Sequence, residues 1–416
     1  MKLKPFTEAL ALVVGCISMN AADSWPQWLG PNRNATLARE TAVPSSIPTE
    51  PKSIWRIPVG GGFSSPVISG DSLVYLDDRS GQETAHCINA VNGQEKWSIP
   101  IADTFQDEWG AGSRSTPSID KDRVYALSCK GEFRCLNLKD GKVIWGTSFE
   151  KDFGVKFLGS KANEGTATRR GHNGSPLIMG DFIFVPVGST NDAMLVCFNK
   201  KNGKIIWKSG TDETAYSSPV LGKIAGKEQL VYLSADALMG MEPETGKILW
   251  RVPLKTNAKR HAATPLIAGD SVIVNSHTFG VIRFNIEQKE GQFSAKQQWV
   301  NHQLQINVAT PVIVDGHLYC QGPKKDFICA DLETGKTEWT QPGFGKEYSA
   351  TMVFGKNLLI LADDGQLVLA EANPSKYVEL SRVQICGKNW SFPAYANGQL
   401  FVRDNRELAC FKLLAE

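Results

Sequence analysis

The sequence predicts an all-β fold: an eight-bladed β-propeller of four-stranded blades, closed by an N-terminal strand that completes the last blade. Three observations carry that prediction. The first is a recurring cassette of a tight polar turn, a short apolar run and a terminal tryptophan. Residues 241–250 read Met-Glu-Pro-Glu-Thr-Gly-Lys-Ile-Leu-Trp, and residues 89–97, 137–145, 199–207 and 331–339 repeat the pattern with glycine four places before tryptophan. The second is a recurring Ser-Pro or Thr-Pro that opens a run of alternating apolar residues. The third is the absence of any 3.6-residue apolar period between these runs, which disfavours a parallel sheet with intervening helices.

Taken in order, residues 1–22 have the shape of an export signal. Lys2 and Lys4 precede an apolar core over 9–17 and the small-residue exit Asn20-Ala21-Ala22. The core is too short to span a bilayer. Val13-Val14-Gly15-Cys16 also resembles a lipobox, so two readings stand: a cleaved leader, or a lipid anchor at Cys16. No later stretch is apolar enough to cross a membrane, and a periplasmic or secreted monomer is expected. Residues 23–53 form an N-terminal extension, polar and irregular, containing Trp25-Pro26-Gln27-Trp28-Leu29-Gly30-Pro31. Two close tryptophans should not stay in water, so the segment is expected to pack along the outside of the main body, or to serve as a docking epitope.

The propeller is placed at 54–416. Its units open at Pro66, Pro117, Pro176, Pro219, Pro265 and Pro311, with weaker copies at Ala350-Thr351 and Phe392-Pro393. Seven intervals separate Pro66 from Pro393, about 47 residues each, the length of one four-stranded blade. Trp97, Trp145, Trp207, Trp250, Trp299 and Trp339 end units one to six. Unit seven ends near 378–380 without tryptophan, and unit eight runs out at Phe411, one strand short. Ser53-Ile54-Trp55-Arg56-Ile57 is the end of a strand with no beginning, so it supplies the missing one. Closure matters because each blade's faces are buried only by its neighbours.

Nine cysteines in an exported chain would suggest disulfides. Cys87, Cys135, Cys197, Cys329 and Cys410 fall at equivalent places in successive units, however, too far apart to bridge, and read as small buried residues. Cys320 and Cys329 flank one hairpin and could face each other across it.

Thr245-Gly-Lys-Ile-Leu-Trp250 and Thr334-Gly-Lys-Thr-Glu-Trp339 resemble the tryptophan-docking repeats of pyrroloquinoline quinone (PQQ)-type propellers. That superfamily includes quinoprotein alcohol dehydrogenases and the lipoprotein BamB, a scaffold subunit of the outer-membrane β-barrel assembly machinery. The resemblance covers about 23–416, and the opening Trp-Pro-Gln-Trp-Leu-Gly-Pro-Asn-Arg is similar to that of exported bacterial members. It implies either a scaffold or a dehydrogenase using PQQ with calcium. The dehydrogenases are longer and usually carry a vicinal disulfide beside the cofactor. No two cysteines are adjacent here, and no Cys-x-x-Cys-His haem motif is present.

Functional residues should lie where the repeats stop resembling one another, in the loops before each Ser/Thr-Pro. These open at one mouth of the central channel, and two of them, 98–112 and 146–171, are long. Arg114, Arg170, His172, Arg260 and His261 should ring the mouth, with Asn173, Tyr216, Asn307, Tyr348 and Trp390 between them. Arginine forks bind carboxylates and phosphates, and aromatic faces suit sugars. The same side chains could instead satisfy one another and plug the channel. With 45 basic against 43 acidic residues and no polybasic run, nucleic-acid binding is not expected. Asp77-Asp78 and Asp363-Asp364-Gly365 read as turns. The expected function is therefore a non-catalytic envelope scaffold, without cofactor, for a protein or polysaccharide partner. The alternatives are a diverged quinoprotein dehydrogenase and a small-ligand or glycan binder using a basic mouth.

Overall fold

The computed structural model describes residues 24–413, apart from 39, 40, 42, 43, 158, 160–166, 257 and 258. The leader at 1–22 and Cys16 lie outside the described residues. Eight antiparallel sheets follow one another around a ring. Blade 1 runs outward from the axis through Val67–Ser69, Ser72–Arg79, Gln82–Asn89 and Glu95–Asp103. Blades 2 to 7 repeat that order. Blade 8 holds Ala394–Ala396, Gln399–Arg403 and Glu407–Lys412, and its outermost strand is the N-terminal Ser53–Pro58, paired antiparallel from Ser53↔Phe411 to Pro58↔Glu407.

The cassette holds neighbouring blades together. In five of the blade junctions the tryptophan of one blade lies against the turn glycine of the next: Trp55 on Gly93, Trp97 on Gly141, Trp145 on Gly203, Trp207 on Gly246 and Trp299 on Gly335. A Cβ on Gly246 would stand 2.5 Å from the Trp207 ring, so glycine is required for this close approach as well as for its φ of +72°. The indole N–H then donates across the junction, as from Trp97 to the Leu138 carbonyl at 2.8 Å and from Trp207 to the Pro243 carbonyl at 2.9 Å. Trp250 departs from the rule and donates to Gln229 Oε1 within its own blade, at 2.7 Å.

Cys87, Cys135, Cys197, Cys329 and Cys410 each pair across the ladder with the tryptophan of the outer strand, and all five are buried. The eight described cysteines are free. Cys320 pairs with Ile328 and Cys329 with Tyr319, so the two thiols point to opposite faces of their hairpin and cannot bond.

The N-terminal extension does not lie along the outside, as its sequence suggested. Residues 24–37 enter the central channel. Ser24–Trp25 adds a fifth strand to the inner edge of blade 1, through Ser24↔Ser69 and Trp25↔Ile68. Trp25 stacks on Phe392 of blade 8. The Arg33 guanidinium, 3% exposed, donates to the carbonyls of Ser175, Pro176 and Pro219 in blades 3 and 4. Ala35 and Leu37 bond to Val353 of blade 7. At Ile47, whose N–H reaches Ser381 Oγ at 2.8 Å, the chain meets the outermost strand of blade 7. The physical reason is that inner edge strands expose carbonyls with no neighbour along the axis, and one arginine carries five donors to meet them.

Candidate functional site

Above this plug the loops before the inner strands converge on a cavity of about 170 Å³. Eight of the ten residues predicted from sequence line it: Arg114, Arg170, Asn173, Tyr216, Arg260, Asn307, Tyr348 and Trp390. His172 and His261 do not. They are 1% and 0% exposed and point into the blades, where His172 meets Phe149 edge-on and His261 Nε2 donates to the Leu254 carbonyl at 3.0 Å. Adjacent residues of an extended loop face opposite ways, so Arg260 and His261 cannot both look into the funnel.

Sequence reasoning did not single out Trp28, Phe63, Trp109 or Glu347, which also line the cavity. Trp28 comes from the plug and forms the floor, its indole N–H bonded to Thr264 Oγ1 at 2.8 Å. Trp109 sits at the tip of a small hairpin, Gln106–Asp107 with Gly110–Ala111, within the long 98–112 loop. It packs on Trp390 at 5.0 Å, and Trp390 on Phe63 at 5.5 Å. The length of that loop was the signal that could have found Trp109.

The mouth is not the ring of positive charge that its arginines suggested. The same hairpin supplies Asp107, whose two carboxylate oxygens meet Arg114 at 2.6 Å and Arg170 at 3.1 Å. Glu108 also pairs with Arg170. Burial works to raise the Asp107 pKa, yet the hydrogen bond and charge of Arg114, joined by Arg170, hold it below the ordinary carboxylate value. The hydrogen bond from Arg170 takes Glu108 down to about 2. Arg260 and Glu347 have no ion-pair partner among the described residues. With Arg114, Arg169, Arg170 and Arg260 near Asp107, Glu108 and Glu347, much of the positive charge at the mouth is offset. Burial raises the Tyr216 phenol to about 12 and the Tyr348 phenol further, so both remain protonated donors at neutral pH.

These residues do not fit PQQ with calcium. Calcium takes six to eight oxygen ligands. Asp107, the buried carboxylate at the mouth, already gives both oxygens to guanidinium groups, and Trp28 closes the channel below. Asp77, expected in a turn, lies instead inside Ser72–Arg79, fully buried and bonded to His86 Nε2 at 2.9 Å and the Gly60 N–H at 2.7 Å. It too is a satisfied structural carboxylate.

His172 carries a pH dependence. Burial lowers its pKa from 6.5 to about 4. Its folded value lies below its unfolded one, so the unfolded chain takes up the proton first as the pH falls. The stability linked to this group is complete above pH 6.5 and is lost progressively toward about 4. The loss between pH 8 and pH 5 should be about 2 kcal/mol. Urea unfolding at the two pH values should show a gap smaller by that amount in His172→Phe.

An eight-bladed ring built on Gly-x-x-x-Trp cassettes is a PQQ-like, BamB-like propeller. The chain belongs to the family described as outer membrane protein assembly factor BamB, which it matches over residues 48–172 and 155–376. Among individual relatives, the outer membrane protein assembly factor BamB of Yersinia pestis is 23% identical over 323 residues, covering 76% of this chain and 77% of that protein. The quinoprotein ethanol dehydrogenase of Pseudomonas aeruginosa is 26% identical over 164 residues, only 36% of this chain and 24% of the dehydrogenase. The crystal structure of BamB from Moraxella catarrhalis superposes with a TM-score of 0.58 at 13% identity, over 88% of this chain and 98% of that one. That likeness concerns the fold.

Proposed function

We propose that the chain is a non-catalytic scaffold of the bacterial envelope, a monomer that holds a protein partner in outer-membrane protein assembly. The observation that carries this reading is family membership along most of the propeller. The sequence match to the quinoprotein ethanol dehydrogenase of Pseudomonas aeruginosa covers only 36% of the chain, and the mouth does not fit that enzyme's cofactor. No helix among the described residues is long and apolar enough to cross a membrane. An envelope location therefore rests on the family and on the leader at 1–22. Mass spectrometry of the mature N-terminus tests both the leader and a lipid anchor at Cys16.

The outer strands offer a surface for a protein rather than a polysaccharide. Val143 and Ile144 on blade 2, Ile205 and Ile206 on blade 3 and Ile248 on blade 4 are exposed branched aliphatics at equivalent positions. Exposed apolar groups in series mark protein contacts. The test is cross-linking of the full chain in the native envelope, followed by identification of linked peptides. An outer-membrane assembly component linked beside Ile205 and Ile206, and lost in the Ile205→Glu/Ile206→Glu variant without a change in melting temperature, is the expected result. Dye-linked oxidation of an alcohol or sugar after addition of PQQ and calcium would contradict the proposal.

A further inference from the structure

We propose that the funnel above the plug is a binding site for a single pyranose ring, presented as a free sugar or as the end of a glycan. The site is independent of the outer-strand surface and goes beyond the scaffold reading.

The funnel is blind. Trp28 closes it from below, fixed by its hydrogen bond to Thr264 and by its edge-on packing against Phe392 at 5.7 Å. A channel sealed by a rigid indole is a pocket, not a pore. Its volume of about 170 Å³ is close to the roughly 150 Å³ of a cavity that accepts one benzene. That is room for one six-membered ring. Phe63, Trp390 and Trp109 form a continuous aromatic wall, which offers stacking area to the C–H face of a sugar.

The polar lining selects among rings of that size. Five of its buried atoms have no hydrogen-bond partner: Tyr348 Oη, Trp390 Nε1, Asn307 Oδ1, Arg114 Nε and Arg260 Nε. Tyr348 is 4% exposed, so its hydroxyl faces the cavity without access to bulk water. Buried polar groups are ordinarily paired, and a cluster of unpaired ones lining one cavity points to a missing partner. The set mixes donors with an acceptor. A hydroxyl group both donates and accepts, so a ring bearing several hydroxyls can satisfy the whole set. A planar aromatic acid would answer the donors alone. Its carboxylate would also have to compete with Asp107 and Glu108, which already hold Arg114 and Arg170. Glu347, which has no ion pair among the described residues, is an acceptor for sugar hydroxyls, and Arg260 is the matching donor.

The experiment titrates the mature full-length chain with glucose, galactose, N-acetylglucosamine and glucuronate, with cellobiose as the glycan arm and benzoate as the planar comparison. Tryptophan fluorescence and saturation-transfer NMR report binding. At least one pyranose is expected to saturate. Cellobiose binding more tightly than glucose identifies a glycan end, and equal binding identifies a free sugar. Trp390→Ala should weaken binding about tenfold. Tyr348→Phe should weaken it about fivefold while leaving the melting temperature unchanged or higher, because the hydroxyl has no partner to lose. Failure of every pyranose to saturate, saturation by benzoate alone, or undiminished binding by Tyr348→Phe would each overturn the proposal.

Discussion

Replacing Trp25 with alanine will destabilise the folded chain by about 4 kcal/mol. The indole is 1% exposed, at the seam where the first and last blades meet. Its backbone pairs with Ile68 of blade 1, and its ring stacks on Phe392 of blade 8 at 6.3 Å with 9° between the planes. Gly30 fits closely beneath it, since a Cβ there would lie 2.7 Å from the ring. The inner strands on either side are fixed by their own ladders, so they cannot collapse into the space an alanine leaves. The loss is then the transfer term plus the full cavity term. It should appear as a lower urea midpoint with an unchanged slope. Sugar binding should fall with it, because Trp28 is positioned by the same segment. A loss below about 1 kcal/mol would mean that Trp25 is not seated in the channel.

Arg403→Met is expected to destabilise by about 3 kcal/mol. This arginine, 0% exposed, reaches from blade 8 to the first blade and the segment leading into it. It donates to the carbonyls of Ser64 at 2.7 Å, Leu76 at 2.6 Å, Gly60 at 3.2 Å and Gly61 at 3.3 Å. Burial away from water makes the charge costly there and lowers its pKa. Four carbonyls stripped of a charged donor cost more than the relief of that burial, because methionine fills the space but donates nothing. Lysine should not rescue the loss, since one ammonium cannot span both sides as a planar fork does. The thermal midpoint measures the effect, and limited proteolysis at Ser53–Pro58 reports on the seam. A methionine variant as stable as the parent would show that the buried charge costs as much as its hydrogen bonds contribute.

The ring was legible in the sequence because its junctions are made by residues that few others can replace. Glycine sits under the neighbouring tryptophan at five junctions, cysteine pairs with the tryptophan of its own blade in five units, and Ser/Thr-Pro opens six of the eight inner strands. The closing strand could be read as well, since 53–57 ended a strand that had no start. The mouth was only partly legible. Repeat register placed eight funnel residues together, yet it could not tell inward from outward neighbours, and so His172 and His261 were included. Asp107 and Glu108 were missed because they lie in a loop insertion with no counterpart in other units. That omission made the mouth look basic. Trp28 and Arg33 were missed for a related reason: residues 24–37 follow no period, and nothing local to that stretch says which of the propeller's surfaces will take it. Its two tryptophans told only that it would be buried.

Hydrogen exchange at the amides of Gly30, Arg33, Ala35 and Leu37 tests the sealed channel most directly. Each of these N–H groups donates to a carbonyl inside the ring, to Gln27, Gly30, Leu29 and Val353 in turn. With the plug seated, they should exchange as slowly as the amides of the inner strands, through opening of the propeller itself. Exchange at the rate of an unstructured segment, with the inner-strand amides still protected, would show an open channel and remove the floor of the funnel.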